Sequence, residues 1–132
     1  MPVFESTDKM YEVLGGLFRE LMKDEKIYRT AMDTGISICF NITEPKGQLW
    51  LDPSDERRVI CGSHDIRPTI TMNLSGDSCH DFWLKKLSLP MAIAKGKIKA
   101  KGPMPKVLKM LPMLKPAHEM YPEIARSHGL PV

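Results

Sequence analysis

"SLPMAIAKGKIKAKG" spans residues 88–102. Pro90 opens it, and proline suits the first turn of a helix, where its missing N–H has no partner to lose. Met91, Ala92, Ile93 and Ala94 continue as a short apolar helix that Gly96 ends. The period then drops to two. Lys97, Lys99 and Lys101 fall on one side, Ile98 and Ala100 on the other, and Gly102 closes the run. This is a strand with a cationic face and an apolar face, reached directly from a helix. An apolar strand face must be covered, and the adjoining helices are the cover at hand.

The chain on either side repeats the pattern. Upstream, "TITMNL" alternates with Ile70, Met72 and Leu74 on one face. "SGDSCHDFWLKKL" then turns helical, with Ser75 or Asp77 as N-cap and Phe82, Trp83 and Leu87 on one side. A path from strand through helices to strand predicts a crossover, with the fourth and fifth strands parallel. Further back, "ISICFNI" sets Ile36, Ile38, Phe40 and Ile42 against Ser37, Cys39 and Asn41. Lys46-Gly47 turns the chain into "QLWLD", and "RRVIC" supplies a third strand. These are half-buried strands of a mostly antiparallel sheet.

Two helices precede the sheet. Ser6 or Thr7 caps the first, whose stripe is Met10, Leu14, Leu17, Phe18 and Leu21. Gly15 and Gly16 each weaken it by about 1 kcal/mol relative to alanine, so something packs closely there or the helix bends. "DEKIYRTAMDTG" is a second, short helix ending before Gly35. After the fifth strand, Val107, Leu108, Leu111 and Leu114 have helical spacing, but Pro112, Pro116 and Pro122 interrupt them. Interior proline removes a hydrogen bond and kinks a helix, so a segmented helix is expected. It carries Met104, Met110, Met113 and Met120, flexible side chains that fill irregular space. Such a segment over an apolar sheet face would serve as a lid. The expected fold is α+β: one domain, residues 1–132, with a five-stranded mixed, mostly antiparallel sheet and helices on one face.

Composition agrees. A chain of 132 residues with 42% hydrophobic and 27% charged content suits one soluble domain. No apolar run is long enough to cross a bilayer, and the acidic start "MPVFESTDKM" does not read as a signal peptide. Three cysteines, an odd number without CxxC, suit free thiols in a reducing cytoplasm. Charge is uneven. Between Phe82 and His118 there are nine lysines and no acid, while the rest carries ten basic and sixteen acidic side chains. Lys97, Lys99, Lys101, Lys106 and Lys109 are the candidate patch for an anionic membrane surface; a solvated face is the plainer reading.

With these residues in hand, the chain resembles the sterol carrier protein type-2 family. The family's strand methionine, the Asp and Phe of the next helix, and its small-residue helix match Met72, Asp81, Phe82, Ala92 and Ala94. Its G-K-apolar-K-apolar-x-G and following helix match Gly96, Lys97, Ile98, Lys99, Ala100, Gly102, Lys106 and Leu111. "GISICFNI" and "GQLWL" resemble its first two strands, so the likeness runs from about Gly35 to Leu114. Two places depart: Gly102-Pro103 stands where the family often has Gly-Asp, and "LKKLSLP" lacks a glycine between the crossover helices. The resemblance implies an apolar tunnel between sheet and helices for a fatty acid, acyl-CoA, sterol or phospholipid, with no catalysis and no cofactor. Ile98 and Ala100 would line or back it, with Ala92 and Ala94 kept small where helix and sheet approach. By their inward periods, the expected lining is Leu14, Leu17 and Phe18 of the first helix, Ile38, Phe40 and Met72 of the strands, and Phe82, Leu108 and Leu111 of the later helices.

Other classes fit less well. No G-x-S-x-G or phosphate loop occurs, and Cys39 alternates onto the outer face with no histidine placed beside it, which leaves a hydrolase or transferase on lipid esters without a nucleophile–base pair. Cys61, His64, Cys79 and His80 lack zinc-finger spacing; buried thiols and exposed loop histidines are the simpler reading. The lysine block has no arginine and, beyond Phe82, Trp83 as its sole aromatic, so nucleic acid is poorly served. A non-lipid interaction module with a filled core remains the alternative on the same fold.

Overall fold

The computed structural model describes residues 2–132, apart from the side chain of Met110, which lies outside the described residues. Helix α1 (Thr7–Lys23) starts at Ser6, whose hydroxyl accepts from the Lys9 amide at 3.1 Å. Asp24 ends α1 and caps α2 (Glu25–Thr34), and Gly35 stops α2 with φ 65°, a left-handed backbone that glycine adopts at no steric cost. Strands β1 (Ile38–Thr43), β2 (Gly47–Leu51), β3 (Val59–Cys61) and β4 (Ile70–Ser75) follow, then α3 (Gly76–Trp83), α4 (Leu89–Ala94), β5 (Ile98–Lys101) and α5 (Met104–Ser127). Ser75 and Ser88 cap α3 and α4.

The five strands lie in the order β3-β2-β1-β4-β5. Only β1 and β4 pair in parallel; the other three pairs are antiparallel. Period two becomes rows across the sheet. Cys61, Leu49, Phe40, Met72 and Ala100 form one inner row, and Ile42, Leu74 and Ile98 part of another. α1 lies over this face with Met10, Val13, Leu14, Leu17, Phe18 and Leu21 at most 1% exposed. Gly15 is where α1 meets β3: a Cβ there would stand 3.0 Å from the Cys61 sulfur, whereas Gly16 faces open space.

The crossover expectation fails in direction. β5 runs antiparallel to β4, with Ile98 opposite Leu74 and Lys101 opposite Thr71. Two short helices fill the connection; together they bring the chain back to the end of the sheet it left, so β5 starts where β4 finishes. The parallel pair arises earlier, because the β2–β3 hairpin and the loop after it return the chain to β1's starting end. α5 is likewise one continuous helix and not a segmented one, with Pro112, Pro116 and Pro122 inside it. Each proline removes one i→i−4 donor and leaves the carbonyl of Leu108, Pro112 or His118 without that bond. Packing of the opposite stripe, Val107, Leu114, Ala117, Tyr121 and Ala125, all at most 2% exposed, holds the helix together.

The outer sheet face has its own small cluster, Cys39, Trp50 and Ile60. The loop after β3 seals it: the Trp50 indole donates to the Gly62 carbonyl at 3.1 Å, and His64 meets the Trp50 ring edge-on at 5.3 Å. No helix among the described residues is long and apolar enough to cross a membrane.

Candidate apolar cavity and its cover

The space between sheet and helices is where a ligand would sit, and it is filled. Of the nine expected lining residues, Leu14, Leu17, Phe18, Ile38, Phe40, Met72 and Phe82 come together there, each at most 3% exposed. Trp83 fills the centre with its ring 5.6 Å from Phe18, 6.0 Å from Phe40 and 4.8 Å from Phe82. His118 of α5 completes the cluster, 5.3 Å from Trp83 and 4.9 Å from Phe82. Among the described residues the expected open tunnel is not seen: a small void that Ile38 borders holds about 20 Å³, room for a single water. Leu108 does not line the interior at all and is 58% exposed. It lies one residue beyond Val107, about 100° around the helix from the buried stripe. Leu111 is half-buried and borders an outer groove. Ala92 is fully buried as its close approach requires, but Ala94 faces solvent.

The small void matters because of its neighbour. Met22, Ala31, Ile36, Leu51 and Leu114 are among its walls, and Met113 is another. Met113 also lines a groove of about 310 Å³ on the outside, between α2 and α5, whose walls include Ile27, Thr30, Pro112 and Pro116. One flexible side chain thus borders both the outer groove and the inner void. The helix that carries it lacks two hydrogen bonds at that level, at Pro112 and Pro116. On the other flank of α5 a second groove, about 290 Å³, runs between Leu111, Lys115 and His118 and the Phe82–Pro90 segment.

Buried polar groups pin the rest. The His80 Nε2–H donates to the Pro131 carbonyl at 2.7 Å, and Nδ1 accepts from the Tyr121 hydroxyl at 2.7 Å. His118 donates through Nδ1 to the Trp83 carbonyl at 3.4 Å. Burial lowers the pKa of both imidazoles. The Trp83 Nε1–H, fully buried, has no hydrogen-bond partner among the described residues. Burial pushes the Cys39 thiol up to about 11 and the Cys79 thiol up to about 12, far from a nucleophilic thiolate at neutral pH.

The four residues weighed as a metal set do not assemble. Cys61 lies against α1, near Arg19; Cys79 and His80 are inside α3, and His80 is buried, not on an exposed loop. His64 instead joins Asp52 at 3.0 Å, with Asp55 at 4.0 Å, a group of three ligand-type atoms that spacing in the sequence did not reveal. Its carboxylates are already engaged. Arg57 grips both Asp55 oxygens and holds that carboxyl down at about 2. Burial raises Asp52, but hydrogen bonds from Ser54 and His64 outweigh it and leave the net pKa lowered. The Ser54 hydroxyl donates to Asp52 at 2.6 Å and not to His64, so the order that activates a serine is missing. The group clamps the loops beneath Trp50.

The five patch lysines are all exposed but divide between two faces. Lys99 stands opposite Asn73 and Lys101 opposite Thr71 on the outer sheet face, where Lys97 joins Lys99 around Asn41 and Asn73. Lys106 and Lys109 project from α5 in the helix layer.

An open five-stranded sheet with one helix-covered face, closed by a long C-terminal helix over an apolar interior, defines a two-layer α+β fold. The pattern of the SCP-2 sterol transfer family matches residues 18–115, and the chain belongs to that family. No curated protein matches it by sequence. Among solved structures it is similar to the sterol carrier protein domain 2 of Helicoverpa armigera, with 17% identity and TM-score 0.67 over 83% of this chain and 87% of that one. It is also similar to apo sterol carrier protein 2 of Yarrowia lipolytica, with 16% identity and TM-score 0.55 over 91% and 90%. A third likeness is to Aedes aegypti sterol carrier protein 2 in complex with C16 fatty acid, with 15% identity and TM-score 0.54 over 75% and 91%.

Proposed function

We propose that this chain binds a single long-chain lipid between sheet and helices, without acting on it, and admits it between α2 and α5. The observation that carries the reading is Met113, shared by the outer groove and the inner void. Family membership and a fold shared with a palmitate-complexed protein support the ligand class. The route needs α5 to lift, and the helix is built weakly from its start to its middle: no side chain caps it, and Pro112 and Pro116 interrupt its hydrogen bonds. Binding exchanges contacts within the core for contacts with a chain worth up to about 0.8 kcal/mol per buried methylene. Such a site needs no precise polar partner. The lifted thiol pKa values and the missing serine–histidine order favour binding without catalysis.

The closed core favours one competing reading, a filled-core interaction module. Palmitate titration followed by native mass spectrometry and amide exchange separates the two. One palmitate per chain, with slowed exchange across residues 104–117, is expected. No binding, or binding with unchanged exchange there, rejects the proposed route.

A further inference from the structure

Among the described residues, seven large hydrophobic side chains are exposed, and four of them, Met91, Ile93, Met104 and Leu108, fall in the acid-free lysine block. Their exposures run from 38% to 58%. Between Lys101 and Lys109 only Val107 is buried, so the first turns of α5 are almost wholly outside the fold. Met104, Leu108, Leu111, Lys115 and His118 follow one another at spacings of three and four, a single stripe along α5. The last three line the groove whose opposite wall ends at Pro90, next to Met91. That groove has nine lining residues, two of them lysine and none acidic. The groove on the other flank of α5 includes Asp24. Lys95, Lys106 and Lys109 are exposed in the same two stretches of chain as these apolar residues.

Apolar side chains interleaved with lysine on short helical segments are the composition that lies in a bilayer interface, with the aliphatic chains among acyl tails and the ammonium groups on anionic headgroups. We infer that the α4–α5 face docks on an anionic membrane surface through Met91, Ile93, Met104 and Leu108, with the helix-layer lysines and not those of β5 supplying the charge. The uniform sign of the block selects this partner: a protein surface of ordinary mixed charge would leave its cations opposite these lysines unpaired. Docking here sets the weakly held start of α5 against the lipid source. The inference deepens the carrier reading, but it is tested without cargo, so the two fail independently.

The assay is cosedimentation with phosphatidylcholine vesicles containing phosphatidylserine, and with pure phosphatidylcholine vesicles, at low salt. Met104→Ser with Leu108→Ser alters only exposed side chains and should leave folding unchanged by circular dichroism. It is expected to weaken binding to the anionic vesicles about tenfold or more, the factor that loss of two partly buried aliphatic chains implies. Lys106→Gln with Lys109→Gln should weaken binding and flatten its salt dependence. Lys99→Gln with Lys101→Gln should change it less. Three results overturn the inference: equal binding to both vesicle types, a larger loss from the β5 pair than from the α5 pairs, or a chain that dimerises through Met104 and Leu108 in sedimentation and leaves vesicles unbound.

Discussion

Gly15 and Gly16 offer two nearly identical perturbations with opposite surroundings. Replacing either by alanine removes backbone freedom from the unfolded chain and raises helix propensity, together about 1 kcal/mol in a helix interior. At Gly16 nothing lies within 4 Å of the added methyl, so the gain is expected whole. The melting midpoint should rise by about 3–4 °C for a chain of this size. At Gly15 the methyl arrives 3.0 Å from the Cys61 sulfur and 3.2 Å from the Arg19 guanidinium. Arg19 is exposed and can swing clear, but Cys61 sits on a three-residue strand packed against α1. Overpacking of this kind costs about 1–3 kcal/mol, so Gly15→Ala should be neutral to destabilising. The contact predicts a coupling: in a Cys61→Ala background, Gly15→Ala should recover its gain. Urea denaturation of wild type, the two single variants, Cys61→Ala and the double variant, at constant m-value, reads all of this. If Gly15→Ala stabilises as much as Gly16→Ala in the native background, close packing is not what keeps glycine at 15.

Acid should weaken the protein well above the carboxylate range. His80 and His118 are neutral and hydrogen-bonded when folded, with pKa values lowered from 6.5. The unfolded chain binds their protons first, so stability is full above about pH 6.5 and falls as pH drops toward the folded values. Denaturation midpoints unchanged between pH 7.5 and 5.5 would contradict this. Pro112→Ala with Pro116→Ala restores two donors to α5; the amides after them should exchange more slowly and palmitate uptake should slow with them. Faster uptake would show that α5 does not need to lift.

The strands were legible because alternation leaves a one-dimensional trace. Ile38, Phe40 and Ile42, or Ile70, Met72 and Leu74, fall inward in the sheet as their spacing says. The direction of β5 was not, because the net turn of two short helices depends on the angle between them, which no residue pattern between Ser75 and Lys97 encodes. Continuity of α5 was hidden for a related reason: local cost at three prolines is outweighed by a buried stripe ending at Ala125. The stripe 107, 114, 121 was readable and would have put Leu108 outside. Periodicity also marks which side chains face inward without saying how completely they fill the space. Trp83 and His118 turn the expected tunnel into a packed interior, and Met113 acquires its place only where α2 and α5 converge.

Both described ends of the chain are fastened to α3. The Val3 amide donates to Asp77 at 2.8 Å, and the Pro131 carbonyl accepts from His80 at 2.7 Å. Those two anchors are three residues apart, less than one helical turn. The polypeptide therefore comes close to forming a ring, and a short bridge could join its ends while a new opening was cut at an exposed turn. Under tension between the two ends, the load would fall first on these two bonds across one helix, and the sheet would feel no force until they parted.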